Sequence, residues 1–179
     1  TANTLVANAK MDYSQLSGMA IAAAGAIDTQ KGVVTKSPNL PDWHNVPLKD
    51  EIEKATGART FVLNDATAAA LGEHRFGAGK GVNNLIYLTV STGIGGGIII
   101  DGKLYEGVSG AAGELGHMTI DVNGPRCACG NIGCIEMLAS GKAIAREAQR
   151  QIAQGARTAI LELAEGNAHY VTAVMVATA

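Results

Sequence analysis

One short segment limits what this chain can fold into, because it holds every cysteine of the sequence. Cys127, Cys129 and Cys134 lie within eight positions in the glycine-rich stretch GPRCACGNIGC. A disulfide between Cys127 and Cys129 would be strained at this spacing. Glycines at positions 130 and 133 allow sharp turns, through which neighbouring sulfurs can converge on one ion. The segment therefore predicts a compact metal-binding loop rather than a disulfide framework.

A fourth ligand is expected from His117, which lies ten positions before Cys127 in the sequence GELGH. Structural zinc sites are tetrahedral, and three cysteines with one histidine form a common ligand set. The sequence therefore predicts a structural Zn²⁺ site, with the ligands His117, Cys127, Cys129 and Cys134. The alternative is three reduced cysteines that hold no metal.

Two carboxylates accompany the predicted metal site. Glu114 precedes His117 by three positions, and Glu136 follows Cys134 by two. A bound metal would fix the His117 ring and hold both carboxylates near it. Such groups suit recognition of a polyol, because each accepts or donates hydrogen bonds in a fixed direction. The alternative is a pair of surface carboxylates beside a purely structural metal.

The composition excludes several classes of protein. The chain has 179 residues, of which 47% are apolar, which is enough for a core. A net charge of −2 without a basic run argues against a nucleic-acid-binding surface. No apolar run approaches about 18 residues, so we expect no membrane span. We find no signal-peptide pattern, and clustered cysteines without one favour the cytoplasm.

Candidate strands and helices alternate as far as Gly79, after which two strands pair directly, and this order predicts a mixed α/β sheet. The predicted strands lie in GMAIAAAGAID, VVTK, RTFVLND and LIYLTVSTGIGGGIII, with a hairpin at DGK. The predicted helices lie in LKDEIEKATG, ATAAALGEHRFGAG, IEMLASGKAIAREAQRQIAQG and TAILELAEG. Three prolines predict a loop in SPNLPDWHNVP. The apolar final stretch YVTAVMVATA predicts burial against another segment or a partner.

Two further motifs are suited to phosphate chemistry. Asp65 lies at the end of a predicted strand that opens onto a helix, where α/β sheets present site residues. A carboxylate there can accept the proton of an attacking hydroxyl, and the alternative is a helix N-cap. The stretch STGIGGG offers backbone N–H groups to phosphate, and the alternative is a plain β-turn. A Rossmann loop is excluded, because apolar IIIDG follows in place of an amphipathic helix.

The stretch AAGELGHMTIDVNGPRCACGNIGCIEMLASG resembles the signature of the ROK family of repressors, open reading frames and sugar kinases. That signature is a Gly-His followed by C-x-C-G-x-x-G-C-x-E. The stretches SPNLPDWHNVPL, VLNDATAAALGEHRFGAGKG and LTVSTGIGGGIIIDGKLYEGVSGAAGE are similar to further family segments, in the same order. The resemblance covers residues 18–141.

The resemblance implies an α/β fold of the actin-like or hexokinase-like ATPase type, with two lobes and a cleft between them. Residues 1–78 would be part of the N-terminal lobe, without the family's first phosphate loop, D-x-G-G-T. Residues 79–179 would be part of the C-terminal lobe, with the zinc-binding segment at 114–136 and without the family's C-terminal end. We therefore expect a central part of the fold.

The resemblance also implies roles for single residues. Asp65 matches the catalytic base of the family, and Thr92 and Gly93 match the loop near the nucleotide phosphates. His117 would bind zinc with one ring nitrogen and the sugar with the other. The implied sugar-binding residues are Asn64, Glu114, His117 and Glu136, with Gly25 and Asn39 as further contacts.

The activity implied is ATP-dependent phosphorylation of a hexose or an N-acetylhexosamine at its 6-hydroxyl, with Mg²⁺ accompanying ATP. Zinc would shape the sugar site, and the protein would form a homodimer in the cytoplasm. Two alternatives remain, the sugar-sensing domain of a ROK transcriptional repressor and a truncated paralogue that binds sugar without catalysis. The preferred sugar and the choice between ATP and polyphosphate stay open.

Overall fold

The computed structural model describes residues 1–37 and 40–179, and these form a mixed α/β structure. Its strands are, in chain order, β1 (Met19–Ala23), β2 (Ala26–Asp28), β3 (Val33–Lys36), β4 (His44–Val46), β5 (Thr60–Asn64), β6 (Leu85–Val90), β7 (Ile94–Ile100) and β8 (Lys103–Leu104). Its α-helices are α1 (Ala2–Asn8), α2 (Leu48–Thr56), α3 (Asp65–Phe76), α4 (Ile135–Ala139), α5 (Gly141–Ala153), α6 (Ala159–Leu163) and α7 (Ala173–Thr178). Across those described ranges, every helix is too short or too polar to span a bilayer.

The chain divides into two compact units. The first unit comprises Thr1–Leu85 with Gly97–Gly113, and the second comprises Ile86–Gly96 with Glu114–Ala179. The predicted assignment of residues 1–78 and 79–179 to two lobes stays a prediction.

The first unit is built on a parallel strand pair. β1 and β5 pair in register from Met19 with Thr60 to Ala23 with Asn64. The buried core beside them contains Ile27, Val34 and Val62. Because the two strands are parallel, their carboxyl ends meet at one edge of the sheet, and Asn64 lies at that edge.

A second sheet of the first unit corrects one expectation. β2, β3 and β4 form an antiparallel sheet, in which Val46 pairs with Val34 and His44 with Lys36. The predicted loop therefore contains a strand, at residues 44–46. The strand fits between Pro41 and Pro47, so neither proline removes a hydrogen bond from it. Three residues are too few to give a period-two signal in the sequence.

The helix predictions are confirmed with one correction. α2 is capped by Gly57, which follows its last residue and takes a left-handed conformation with φ 71°. The long helix predicted after the last cysteine is two helices, α4 and α5, separated at Ser140. Ser140 has an extended backbone, and its hydroxyl accepts a hydrogen bond from the Ala143 N–H. The serine therefore acts as the N-cap of α5 and starts a new helix.

The glycine-rich strands have the predicted arrangement. β6, β7 and β8 follow one another in a three-stranded sheet. β7 and β8 pair at Ile99 with Leu104, so the predicted hairpin at DGK is confirmed. Its two turn residues, Asp101 and Gly102, have φ values of 50° and 72°. Such positive values match the turn that two-residue hairpins favour.

Candidate functional site

The three cysteines and His117 form a cluster in the second unit. One ligand atom from each, the three sulfurs and a ring nitrogen, lie within 4.8 Å of one another. His117 Nδ1 is 3.6 Å from Cys127 Sγ, and Cys129 Sγ is 3.7 Å from Cys134 Sγ. Four such donors in one place could hold a metal ion with tetrahedral coordination.

Tight turns bring the sulfurs together. The Gly130 N–H donates to the Cys127 carbonyl, and the Cys127 N–H donates to the Asn131 carbonyl. Gly133 has φ 65°, and a Cβ at this position would overlap the Asp121 carbonyl oxygen. A residue with a side chain would therefore be strained there and would push the loop open. The region from residue 114 to residue 136 is called the clamp below.

The electrostatics of the sulfurs fit a bound cation. Burial raises the pKa of the Cys134 thiol to about 12, and the sulfurs of Cys129 and Cys127 act in the same direction. The Asn131 N–H lowers the pKa of Cys129. A cysteine binds a metal as its thiolate, and a buried thiolate is stabilised by a neighbouring positive charge. The donor set therefore suits a divalent metal that offsets the charge of the sulfurs.

His117 faces two different groups. Its Nδ1 points at the Cys127 sulfur, whereas its Nε2 lies 3.8 Å from Oε2 of Glu114. Its carbonyl accepts hydrogen bonds from Asn131 Nδ2 at 3.3 Å and from the Cys134 thiol at 3.4 Å. Glu114 is exposed. One imidazole nitrogen is thus directed at the sulfurs, and the other at a carboxylate on the surface.

Glu136 contacts the glycine-rich turn. It lies in the first turn of α4, and its Oε2 accepts a hydrogen bond of 2.8 Å from the Ile94 N–H. A Cβ at Gly93 would overlap the same oxygen. The structure therefore brings Gly93 together with Glu136 in the second unit, and Thr92 is the preceding residue of the same turn.

Asn64 and Gly25 are in contact in the first unit. The Asn64 side chain caps α3, since its Oδ1 accepts from the N–H groups of Ala66 at 2.9 Å and Thr67 at 3.2 Å. Its Nδ2 donates to the Gly25 carbonyl at 3.1 Å. Gly25 has φ 120°, and a Cβ there would overlap the Lys36 carbonyl. The glycine is therefore required for this approach of the two segments.

Asp65 is the first residue of α3 and is exposed. Its Oδ1 accepts from the Ala66 N–H at 2.9 Å. The N-cap position belongs to Asn64, so the alternative interpretation of Asp65 as the N-cap is wrong. A carboxylate in the first helical turn is favoured by the helix dipole. Asn39, a predicted sugar contact, lies outside the described residues.

Two glycines that sequence reasoning did not single out also support the 91–94 turn. A Cβ at Gly116 would overlap the Ile94 carbonyl oxygen. The Gly141 N–H donates to the Ser91 carbonyl at 2.8 Å. Gly116 belongs to the recognised GELGH pattern, which could have drawn attention to it. Gly141 follows Ser140 at the start of α5 and carries no comparable sequence signal.

Comparison with known proteins decides the family. The sequence matches the ROK family over residues 1–179. The chain belongs to the ROK family. The resemblance to the ROK family is therefore confirmed. The fold class is confirmed too, since the similar solved structures include ROK kinases of the actin-like ATPase fold.

Relatives of this ROK chain include kinases and repressors. It is 52% identical over 126 residues to a glucokinase of Thermotoga maritima, covering 70% of the chain and 40% of the relative. It is 46% identical over 153 residues to a xylose repressor of Bacillus spizizenii, covering 85% and 39% respectively. A ROK family glucokinase from Streptomyces griseus, solved in complex with glucose and AMPPNP, is 38% identical with a TM-score of 0.81. That match covers 99% of this chain and 57% of the other. The chain thus spans less than two thirds of the length of each of these three proteins.

Proposed function

We propose that this ROK chain is part of a sugar kinase that transfers the γ-phosphoryl group of ATP to the 6-hydroxyl of a hexose or an N-acetylhexosamine. The observation that carries the proposal is the position of Asp65. Its carboxylate is exposed at the carboxyl end of the parallel strand pair, and Asn64 supplies the helix cap in its place. The similarity to glucokinases supports the same activity.

Asp65 is the proposed general base. It accepts the proton of the sugar hydroxyl while the oxygen attacks the γ-phosphorus in line, and ADP leaves with the electron pair of the broken bond. Mg²⁺, when bound with ATP, neutralises charge on the phosphates. Most of the rate enhancement in such reactions comes from positioning and charge stabilisation, so the fixed strand end matters as much as the carboxylate itself.

The proposed sugar contacts are the residues that the family resemblance implies. In the clamp, His117 offers Nε2 and Glu114 offers its carboxylate, which lie 3.8 Å apart. Glu136 offers the carboxylate that already accepts from Ile94. Asn64 and Gly25 are the proposed contacts in the first unit, and Asn39 completes the set.

Zn²⁺ is the metal we propose for the clamp, because three thiolates and one imidazole are its usual structural ligands. His117, Cys127, Cys129 and Cys134 would hold it. The ion would fix the His117 ring, with Nδ1 toward the metal and Nε2 toward the sugar. Reduced thiols are stable in the cytoplasm, which is the location we propose, and the proposed assembly is a homodimer.

A second candidate function is the sugar-sensing domain of a ROK repressor. The match to the xylose repressor covers 85% of the chain, more than the 70% covered by the glucokinase of Thermotoga maritima. A sensing domain would bind sugar through the same residues of the clamp. It would not need Asp65 as a base, so a measurement of sugar phosphorylation distinguishes the two functions.

The test is Asp65→Asn in the whole protein that carries this segment, with sugar phosphorylation and sugar binding measured side by side. We expect kcat to fall at least about 100-fold, because the amide cannot take the proton, while sugar affinity changes little. Asp50→Asn, at an exposed position in α2, is the matched control and keeps full activity. Undiminished turnover in D65N would contradict the proposed base. Sugar binding without any turnover in the wild type would favour the repressor.

A further inference from the structure

The 91–94 turn, which joins β6 to β7, is supported by three contacts inside the second unit. The Gly141 N–H donates to the Ser91 carbonyl at 2.8 Å. The Glu136 carboxylate accepts from the Ile94 N–H at 2.8 Å. Gly116 packs so closely against the Ile94 carbonyl that a Cβ would overlap it. The turn is therefore held by side chains and backbone far away in the sequence.

Two of these supports lie next to predicted metal ligands. Glu136 follows Cys134 by two positions, and Cys134 is the residue that precedes α4. Gly116 directly precedes His117 in the short helical turn Leu115–His117. Fixing Cys134 and His117 on one ion therefore fixes both supports of the turn at the same time.

We propose that Glu136 is a positioning residue for the 91–94 turn, and that through it the metal clamp and the binding of nucleotide phosphate are coupled. The contact is a hydrogen bond from a backbone N–H to a carboxylate, which is stronger than a bond between neutral groups. Glu136 is half-buried, so water competes less for its oxygens. This role is additional to the sugar contact proposed for the same residue.

Gly93 is glycine because of this contact. A Cβ at Gly93 would overlap Oε2 of Glu136. The backbone of Gly93 is not left-handed, so glycine is needed here for space and not for its conformation. The atom that a Cβ would meet is the end of a flexible side chain. A substitution at Gly93 would therefore displace the carboxylate rather than unfold the strand.

The contact also determines which amides a phosphate can use. The Ile94 N–H donates to Glu136, and the Ser91 N–H donates to the Gly93 carbonyl at 2.9 Å. The amides of Thr92 and Gly93 are therefore the ones we assign to phosphate oxygens. The identity of the phosphate as part of a nucleotide rests on the proposed kinase function.

The coupling has a thermodynamic consequence. If metal binding orders the turn and phosphate binds the ordered turn, each ligand raises the affinity of the other by the same factor. Metal removal would then weaken nucleotide binding without any contact between metal and nucleotide. A purely structural metal that does not reach the turn would leave nucleotide affinity unchanged.

The test is hydrogen exchange of the Ile94 amide, followed by NMR in the metal-loaded chain. We expect Glu136→Ala to accelerate this exchange about tenfold or more, since a charge-assisted hydrogen bond is lost. Glu136→Gln keeps an acceptor oxygen and should preserve most of the protection. Glu147→Ala is the matched control, because Glu147 is an exposed glutamate of the same unit and is bonded to Arg150. Unchanged exchange in E136A would overturn the proposal.

Gly93→Ala supplies an independent steric test. It should accelerate exchange at Ile94 as E136A does, and the double variant G93A/E136A should be no faster than either single variant, because both remove one contact. Additive acceleration would overturn the assignment of Gly93 to Glu136. Chelation of the metal should also accelerate exchange at Ile94, and an unaffected amide after chelation would overturn the coupling.

Titration of the whole protein that carries this segment with AMPPNP and Mg²⁺ completes the test. We expect nucleotide affinity to fall at least about fivefold on metal removal, the lower end of typical coupling between two sites. Equal affinity with and without metal would overturn the coupling to phosphate. A whole wild-type protein that binds no nucleotide would contradict the proposed kinase function instead, because the exchange of Ile94 reports the positioning role by itself.

Discussion

Two regions hold the candidate site residues, and they are built in opposite ways. The strand–helix corner at residues 60–67 takes its shape from the parallel pairing of β1 with β5 and from the cap on α3. The clamp at residues 114–136 has little regular structure. Its segments are connected by isolated β-bridges, which pair Thr119 with Cys134 and Arg126 with Ile132.

The difference shows what each region needs in order to keep its geometry. Backbone hydrogen bonds and one asparagine fix the corner, so its shape follows from ordinary folding. The clamp holds three sulfurs and an imidazole nitrogen within 4.8 Å of one another, and its turns require glycine at position 133. We therefore expect the clamp to depend on the proposed metal and the corner to be independent of it.

The largest effect should come from removal of the metal. Structural zinc contributes on the order of 10 kcal/mol to small sites, so chelation should disorder residues 114–136. Amide exchange followed by NMR should show lost protection in the clamp and unchanged protection in β5. Addition of zinc after dialysis, as the control, should restore the original pattern. Equal loss of protection in both regions would show that the corner also depends on the metal.

A smaller effect, confined to the corner, is expected for Asn64→Ala. The variant loses the cap of α3 and the hydrogen bond to Gly25, which together should lower the free energy of unfolding by about 1.5–3 kcal/mol. Asn64→Ser keeps a capping oxygen and loses the donor to Gly25 without placing a second acceptor against that carbonyl, so its free energy of unfolding should fall less. Urea unfolding measures both. A weaker metal affinity in N64A, or an undiminished stability, would contradict the separation of the two regions.

The smallest effect is expected at Glu147, outside both regions. The hydrogen bond from Arg150 holds the pKa of Glu147 well below its ordinary value, at about 2. Because the pKa is lower in the folded state, the ionised carboxylate stabilises the protein at pH values above the ordinary pKa of glutamate. This contribution is lost as the pH falls toward 2. Glu147→Gln should lower the melting temperature slightly at neutral pH, since exposed ion pairs contribute little. Urea unfolding of E147Q, compared with that of N64A, checks this ranking. An equally large decrease in the free energy of unfolding would contradict it.

The sequence predicted the donors of the clamp and the carboxylate at the corner, because both signals are local. The spacing of the cysteines predicts a metal-binding loop, and the junction of a predicted strand with a predicted helix indicates Asp65 as a site residue. The bond from Ile94 to Glu136 joins residues 42 positions apart, and no local pattern indicates such a pairing. β4 was missed because it is short, and Ser140 because helical residues lie on both sides of it.

The central claim is that the metal clamp builds the sugar site of this ROK chain. It is tested most directly by calorimetric titration of the chain with glucose, mannose, N-acetylglucosamine and N-acetylmannosamine, first loaded with zinc and then chelated. The account predicts that one of these sugars binds to the zinc-loaded chain and that its binding disappears on chelation. Sugar binding that is equally strong after the metal has been removed would contradict it.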